Sequence, residues 1–285
     1  MSTWPSLPKR VALAVAPPLR RVVAEREQLR RRQGQLERRL AMQRRRVAEL
    51  EHHLADIEAA PRPSPNGSVA QLGYLFVITY GRSGSTLLQG ILNSIPGYLI
   101  RGENYGALYR LYEFHSSLLS ARDQFARVGD LTSRDSWFGI DEYAASLAVS
   151  RMRALVLETL LRPLPDTRVI GFKEIRWWQR DWQDYLTFVQ QLFPGARFVL
   201  NTREHAGVAK SKWWGRQPEE DVLAQLTRNE EQLDQMAANL GASAYRVHYD
   251  DYVADVGVLD GLFGWLGEPF DRAAIEAVLG VKHSF

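Results

Sequence analysis

Residues 74–95 read YLFVITYGRSGSTLLQGILNSI, and three kinds of segment follow one another in them without a gap. Tyr74–Tyr80 is a continuous apolar and β-branched run, the pattern of a strand covered on both faces of a parallel sheet. LLQGILNSI, from Leu87, carries apolar residues at helical spacing. Between them, Gly81-Arg82-Ser83-Gly84-Ser85-Thr86 predicts a tight turn that opens the helix. Glycine permits positive φ and close approach of a ligand, and the first amides of a helix have no partner inside it, so they point at whatever anion lies there. Arg82 adds a guanidinium fork, and Ser83, Ser85 and Thr86 add three hydroxyls. A phosphate-like group suits this chemistry. Taken alone, the turn also allows a purely structural use of its glycines in packing.

The turn is not a Walker A loop. That pattern has four residues between its glycines and then Lys-Ser/Thr, whereas only Arg82 and Ser83 separate Gly81 from Gly84, and no lysine follows.

Working outward, further short β-branched and aromatic runs occur at Arg168–Phe172 (RVIGF), Arg197–Thr202 (RFVLNT) and Tyr245–Tyr249 (YRVHY), alternating with helical patterns. This alternation predicts an α/β domain, three layers deep, around a mainly parallel sheet. The stretch from Tyr105 to Leu161 reads as mostly helical and is placed to cover a substrate pocket. No internal repeat at a fixed period is seen.

Toward the amino terminus, PRPSPNGS (Pro61–Ser68) must end any helix before it. The expected division is a basic helical, coiled-coil-like segment over residues 1–60, a Pro-rich linker over 61–70 and a globular domain over 71–285. Arg20 to Ala60 contains no proline and shows a seam of Leu29, Gln33, Leu36, Leu40, Gln43, Val47, Leu50, Leu54 and Ile57. Gly34 weakens that long helix, and the arginines at 30–32 and 44–46 repel one another. A solvated amphipathic helix packed on the domain, a self-association element giving a homo-oligomer, and a helix for a membrane or nucleic-acid contact all remain open.

The 285 residues, 45% hydrophobic, suffice for one substantial core plus an appendage. The net charge of +3 hides the crowding of arginine into the first fifty positions. Without cysteine there is no disulfide framework, thiolate metal site or cysteine nucleophile, and a reducing, cytoplasmic location is expected. Val11–Leu19 (VALAVAPPL) is far too short for a membrane span and is broken by Pro17 and Pro18. It also lacks a convincing signal-peptide cleavage site before the arginine run.

A second motif gives the glycine-rich turn a narrower meaning. The turn resembles the 5′-phosphosulfate loop of PAPS-dependent sulfotransferases, and RFVLNTREHAGVAKSKWW (Arg197–Trp214) resembles their 3′-phosphate motif. There, an Arg at a strand end precedes a Ser on the next helix by eight residues, as Arg203 precedes Ser211. LFPGARFV (Leu192–Val199), GFKEIRW (Gly171–Trp177) and YDDY (Tyr249–Tyr252) are similar to further family segments and occur in the family's order. Arg82 stands where the cytosolic eukaryotic branch has lysine, which is nearer the bacterial and carbohydrate-type members.

The resemblance implies a P-loop-like phosphosulfate-binding turn and transfer of a sulfuryl group from PAPS to a hydroxyl, or secondarily an amine, of a small-molecule, lipid or carbohydrate acceptor. PAP would be the product, and neither a metal nor nucleic acid is expected. It further implies that Arg82, Ser83, Gly84, Ser85 and Thr86 hold the 5′-phosphate and sulfonate. Arg203 and Ser211 would grip the 3′-phosphate, Lys173 would reach the leaving group or sulfonate, and Glu103 would act as general base, with Arg82 stabilising charge. His115 is an alternative base, and Lys173 could instead pair with Glu174 or another neighbour. The tryptophans at 177, 178, 182, 213 and 214 are candidates for a pocket lining or for core. Asp250 and Asp251 are expected to cap a helix rather than hold a metal. Two other readings stay in view: a P-loop-type kinase, and a catalytically inactive interaction protein working through its Arg-rich helix.

Overall fold

The computed structural model describes residues 72–125, 131–211 and 214–280, and in the amino-terminal segment residues 28–30, 32–34, 36–37, 40–41 and 43–44. The apolar run at 11–19, the Pro-rich segment, the far half of the heptad seam and Trp213 lie outside the described residues. The chain divides into two compact units, Met1–Ser68 and Val69–Phe285. In the first, the described residues are helical, Leu29, Leu36 and Leu40 are exposed, and Gln33 Nε2 donates to Glu37 Oε1 one turn on (2.9 Å).

The second unit alternates strands and helices: β1 (Gly73–Ile78), α1 (Ser85–Asn93), β2 (Tyr98–Arg101), α2 (Ala107–Phe125), α3 (Ala145–Leu155), β3 (Val169–Glu174), α4 (Trp182–Leu192), β4 (Arg197–Thr202), α5 (His205–Ala209), α6 (Glu219–Leu240), β5 (Ala244–His248), α7 (Tyr249–Ala254), α8 (Asp260–Leu266) and α9 (Arg272–Leu279). The strands form one all-parallel sheet in the order β2-β3-β1-β4-β5. The apolar run at 74–80 therefore lies at the centre, with Val77 opposite Lys173 of β3 and Val199 of β4.

Its alternate residues build two cores. Phe76 and Ile78 join Phe172, Phe198 and Leu200 against Tyr112 of α2, Met152 of α3, Val189 of α4 and Leu226 of α6. Leu75 and Val77 join Val199 against Leu88 and Ile91 of α1, Tyr252 of α7, Phe263 of α8 and Ile275 of α9. Each such side chain contributes about 1.5–3 kcal/mol through removal from water, which is why a strand covered on both faces reads as unbroken hydrophobicity. Close strand packing also explains the glycine of RVIGF: a Cβ on Gly171 would lie 1.7 Å from the Leu75 carbonyl oxygen.

Two features depart from the pattern expected of the sequence. β2 is a four-residue edge strand, YLIR, too short to stand out between the Pro96-Gly97 turn and a polar loop. Among its described residues, the stretch from Tyr105 to Leu161 is helical in α2, α3 and a π-helical turn at Val156–Leu161. Within 131–144 it is a series of turns, where Asp135 accepts from the Thr132 amide and hydroxyl, and Gly139 takes φ 84°. Short polar side chains that bond the nearby backbone compete with helix there. Among the described residues, no helix is long and apolar enough to cross a membrane.

Candidate active site

Parallel sheets bind ligands beyond the carboxyl ends of their strands, where loops converge and helix amino termini point. A cavity of about 1030 Å³ lies there, lined by residues at or just beyond the ends of β1, β2, β3, β4 and β5, among them Arg82, Glu103, Lys173, Arg203 and Tyr249. Tyr80, Gly81, Gly84, Ser85 and Thr86 line it as well.

The turn after β1 is held from below by a buried neutral network. Thr79 Oγ1 donates to the Asn201 carbonyl (2.7 Å) and lies 2.6 Å from Ser83 Oγ. With one hydrogen on each hydroxyl, Ser83 is then the donor to Thr79. Asn201 Nδ2 donates to the Ser83 carbonyl (2.9 Å), and Tyr252 Oη donates to Asn201 Oδ1 (3.2 Å). Ser83 is fully buried, so of the turn's three hydroxyls its own is turned inward, while Ser85 and Thr86 line the cavity. Arg82 (φ 69°) and Gly84 (φ 76°) both take left-handed backbone. For Arg82 this is local strain of the kind found at ligand sites. At Gly84 only glycine fits, because a Cβ would come within 2.0 Å of the Tyr249 ring. The first turn of α1 has no acidic residue and no side-chain cap, so the helix itself supplies no negative charge to its amino-terminal dipole.

Tyr80 pins this turn to the end of β4. Its hydroxyl accepts from the Arg203 amide (2.8 Å) and lies 2.8 Å from Glu230 Oε1. Burial holds the phenol far above the ordinary tyrosine range, so it remains a neutral hydroxyl. The Arg203 guanidinium sits 4.3 Å above the Tyr249 ring, and its Nη1 donates to the Arg82 carbonyl (3.2 Å). Two polar atoms of the second motif, Arg203 Nε and Ser211 Oγ, are buried without a hydrogen-bond partner among the described residues.

The loop between β2 and α2 brings Glu103 to the cavity. Glu103 Oε1 accepts from Lys173 Nζ (2.6 Å), and Arg176 Nη1 lies 3.8 Å from Oε2. Lys173 is buried, and Glu103 is the carboxylate that lies against its amine. Glu174, the neighbour the sequence offered as an alternative, does not pair with it. Successive strand residues face opposite ways, and the Glu174 carboxylate instead accepts the backbone amides of Asn104 (3.1 Å), Gly106 (3.0 Å), Ile175 (2.8 Å) and Arg176 (3.2 Å).

His115 lies elsewhere. It is buried on α2, with Nδ1 2.7 Å from the Tyr143 hydroxyl and its ring 5.5 Å from Phe188, and burial, with a smaller contribution from Arg122, lowers its basicity. Of the tryptophans, Trp178 and Trp214 line the cavity, and Trp214 also belongs with Trp177 and Trp182 to the core. Asp250 and Asp251 stand in the first turn of α7, where Asp250 accepts the Glu204 amide (2.8 Å). No cluster able to hold a metal occurs among the described residues.

Sequence reasoning did not pick out Thr79, Tyr80, Asn201, Tyr249 or Glu174 for the site. Tyr80 was visible only as a strand-end aromatic and Tyr249 only as part of YRVHY and YDDY, without a role, while the others act through contacts made far along the chain.

Among solved structures, the sulfotransferase domain from the curacin biosynthetic pathway aligns with TM-score 0.46 at 15% identity, over 71% of this chain and 76% of that one. The sulfotransferase domain of the Synechococcus PCC 7002 olefin synthase gives TM-score 0.42 at 19% identity, over 72% and 76%. Sulfotransferase STF9 from Mycobacterium avium gives 0.38 at 12%, over 82% and 70%. No curated protein matches the chain. The sulfotransferase family model matches residues 75–272, a span that contains both phosphate-type motifs, Glu103 and Lys173. With well over half of its length matched, the chain belongs to the sulfotransferase family, whose chemistry is transfer of a sulfuryl group.

Proposed function

We propose that the protein transfers the sulfuryl group of PAPS to a hydroxyl of a small-molecule, lipid or carbohydrate acceptor. The observation that carries this reading is the pair of buried, unpartnered atoms Arg203 Nε and Ser211 Oγ, on the motif that resembles a 3′-phosphate site. A native fold seldom leaves such groups unsatisfied, and a phosphate would accept from both. The turn at Gly81–Thr86, tied to Arg203 through the Arg82 carbonyl and Tyr80, supports a second anionic group on the same donor. Two phosphates so disposed distinguish PAPS from ATP.

In this proposal the acceptor oxygen attacks sulfur, the bond from sulfur to the 5′-phosphate oxygen breaks, and PAP leaves. Glu103 takes the acceptor proton. Lys173 and Arg82 stabilise charge developing on the sulfonate and leaving phosphate, while the turn amides and the Ser85 and Thr86 hydroxyls orient them. Arg82 stays protonated, so its contribution is electrostatic. The exposed indole of Trp178 and the side chains of Gln225 and Asn229 line the same cavity and are offered as acceptor contacts.

Incubation with ³⁵S-labelled PAPS and a panel of phenols, long-chain alcohols and sugars tests the proposal. Label should pass to at least one acceptor class, and PAP should raise the melting temperature. A protein that PAP fails to protect, or that binds ATP more tightly than PAP, would not be the enzyme proposed.

A further inference from the structure

Glu174 is among the most deeply buried charged groups of the globular unit, 1% exposed, yet it is not paired with the lysine beside it. Its carboxylate is enclosed by backbone amides instead. Oε2 accepts from Asn104 and Gly106 of the loop after β2, and Oε1 from Ile175 and Arg176 of its own strand end, with Arg176 Nη1 a further 3.5 Å from Oε1. The loop bends to make this possible: Tyr105 takes φ 60° and Gly106 φ 72°, two successive left-handed residues, one of them not glycine. Backbone strain of this kind persists only where the surroundings impose it. The residue immediately before the bound segment is Glu103, whose carboxylate is 2.6 Å from Lys173.

We infer that Glu174 is a positioning residue: its carboxylate clamps residues 104–106 to the end of β3 and so fixes Glu103 against Lys173 at the mouth of the cavity. Carboxylate hydrogen bonds to backbone amides are charge-assisted and short, and amides converging on one anion make a rigid concavity. The phosphate contacts of the turn after β1 and of Arg203 would not depend on the clamp, because those groups are held by Thr79, Asn201 and Tyr80. The inference rests on the proposed role of Glu103 as base, and the test separates the two.

The test is a double-mutant cycle on the full chain, with turnover of ³⁵S-PAPS and PAP titration measured for Glu174→Gln, Glu103→Gln and the double variant. Glutamine keeps the length of Glu174 but sets an NH₂ against amide donors. Glu174→Gln is expected to lower kcat at least ~30-fold, short of the roughly 10²–10⁴-fold that outright removal of a general base typically costs, while donor KM and PAP affinity stay within about twofold. In the Glu103→Gln background the same change should cost less than about threefold, since a positioning group has nothing left to position. A purely structural role would instead multiply the two losses, or weaken PAP binding in step with kcat, and either result overturns the inference. Parental turnover of Glu103→Gln alone would remove the base assignment and the inference with it. Gly106→Ala approaches the loop from its other side, should Glu174→Gln not fold. It strains the left-handed turn without crowding, its Cβ reaching only Arg176 Cδ at 3.6 Å, and should lower kcat with the same lack of additivity.

Discussion

The two segments that meet at the cavity are fixed by different physics. The turn after β1 rests on neutral groups, Thr79, Ser83, Asn201 and Tyr252, all buried and joined by hydroxyl and amide hydrogen bonds. The loop after β2 rests on charges: Glu174 on four amides, Glu103 on Lys173, and Arg176 over the Tyr105 ring at 4.1 Å while facing both carboxylates. A neutral network keeps its geometry whatever charge arrives, which suits a cradle for an anionic donor. A charged network can be rearranged by the charge it meets, which suits the proton-accepting role proposed for Glu103.

The largest effect that would break this contrast is expected at Gly84. Gly84→Ala sets a Cβ in the Tyr249 ring and forces alanine into left-handed backbone. Overpacking and strain together should cost about 2–4 kcal/mol, and sulfuryl transfer should fall to background in the ³⁵S assay. An active, stable Gly84→Ala protein would mean that the turn is not the rigid cradle described.

How much of this was legible in the sequence differs between the same two segments. Four of the five strands and the turn stood out, because burial on both faces leaves unbroken apolar runs and because Gly84 answers a steric need that only glycine meets. What fixes the turn was hidden, since Thr79 and Asn201 sit inside predicted strands and meet only because β1 and β4 are neighbours in the sheet. The charged loop was visible as residues but not as contacts. Lys173 and Glu174 are adjacent, so a pair between them, or with another neighbour, stood as an alternative to a ligand contact, and strand alternation sends the two side chains to different partners. Ser83 was grouped with the other hydroxyls of the turn because composition does not reveal which way a hydroxyl points.

A middle-sized effect sharpens the neutral side. Asn201→Leu leaves the Ser83 carbonyl and the Tyr252 hydroxyl without their partner. At about 1–3 kcal/mol for each unsatisfied buried group, calorimetry should show a melting temperature lower by roughly 5–15 °C. The smallest effect is expected at Ser83. Ser83→Ala removes one hydrogen bond to Thr79, should cost about 1 kcal/mol, and should leave turnover within a few-fold of the parent. A large loss of donor affinity in that variant would show that its hydroxyl turns outward to the ligand.

The central claim, that the two motifs together hold a donor with both a 5′- and a 3′-phosphate, is tested most directly by isothermal titration of PAP and of adenosine 5′-phosphate into the parent and Arg203→Ala proteins. PAP should bind the parent more tightly than adenosine 5′-phosphate by at least ~30-fold, about 2 kcal/mol, and Arg203→Ala should erase that difference while leaving adenosine 5′-phosphate affinity nearly unchanged. Equal affinities for the two nucleotides in the parent protein would contradict the account.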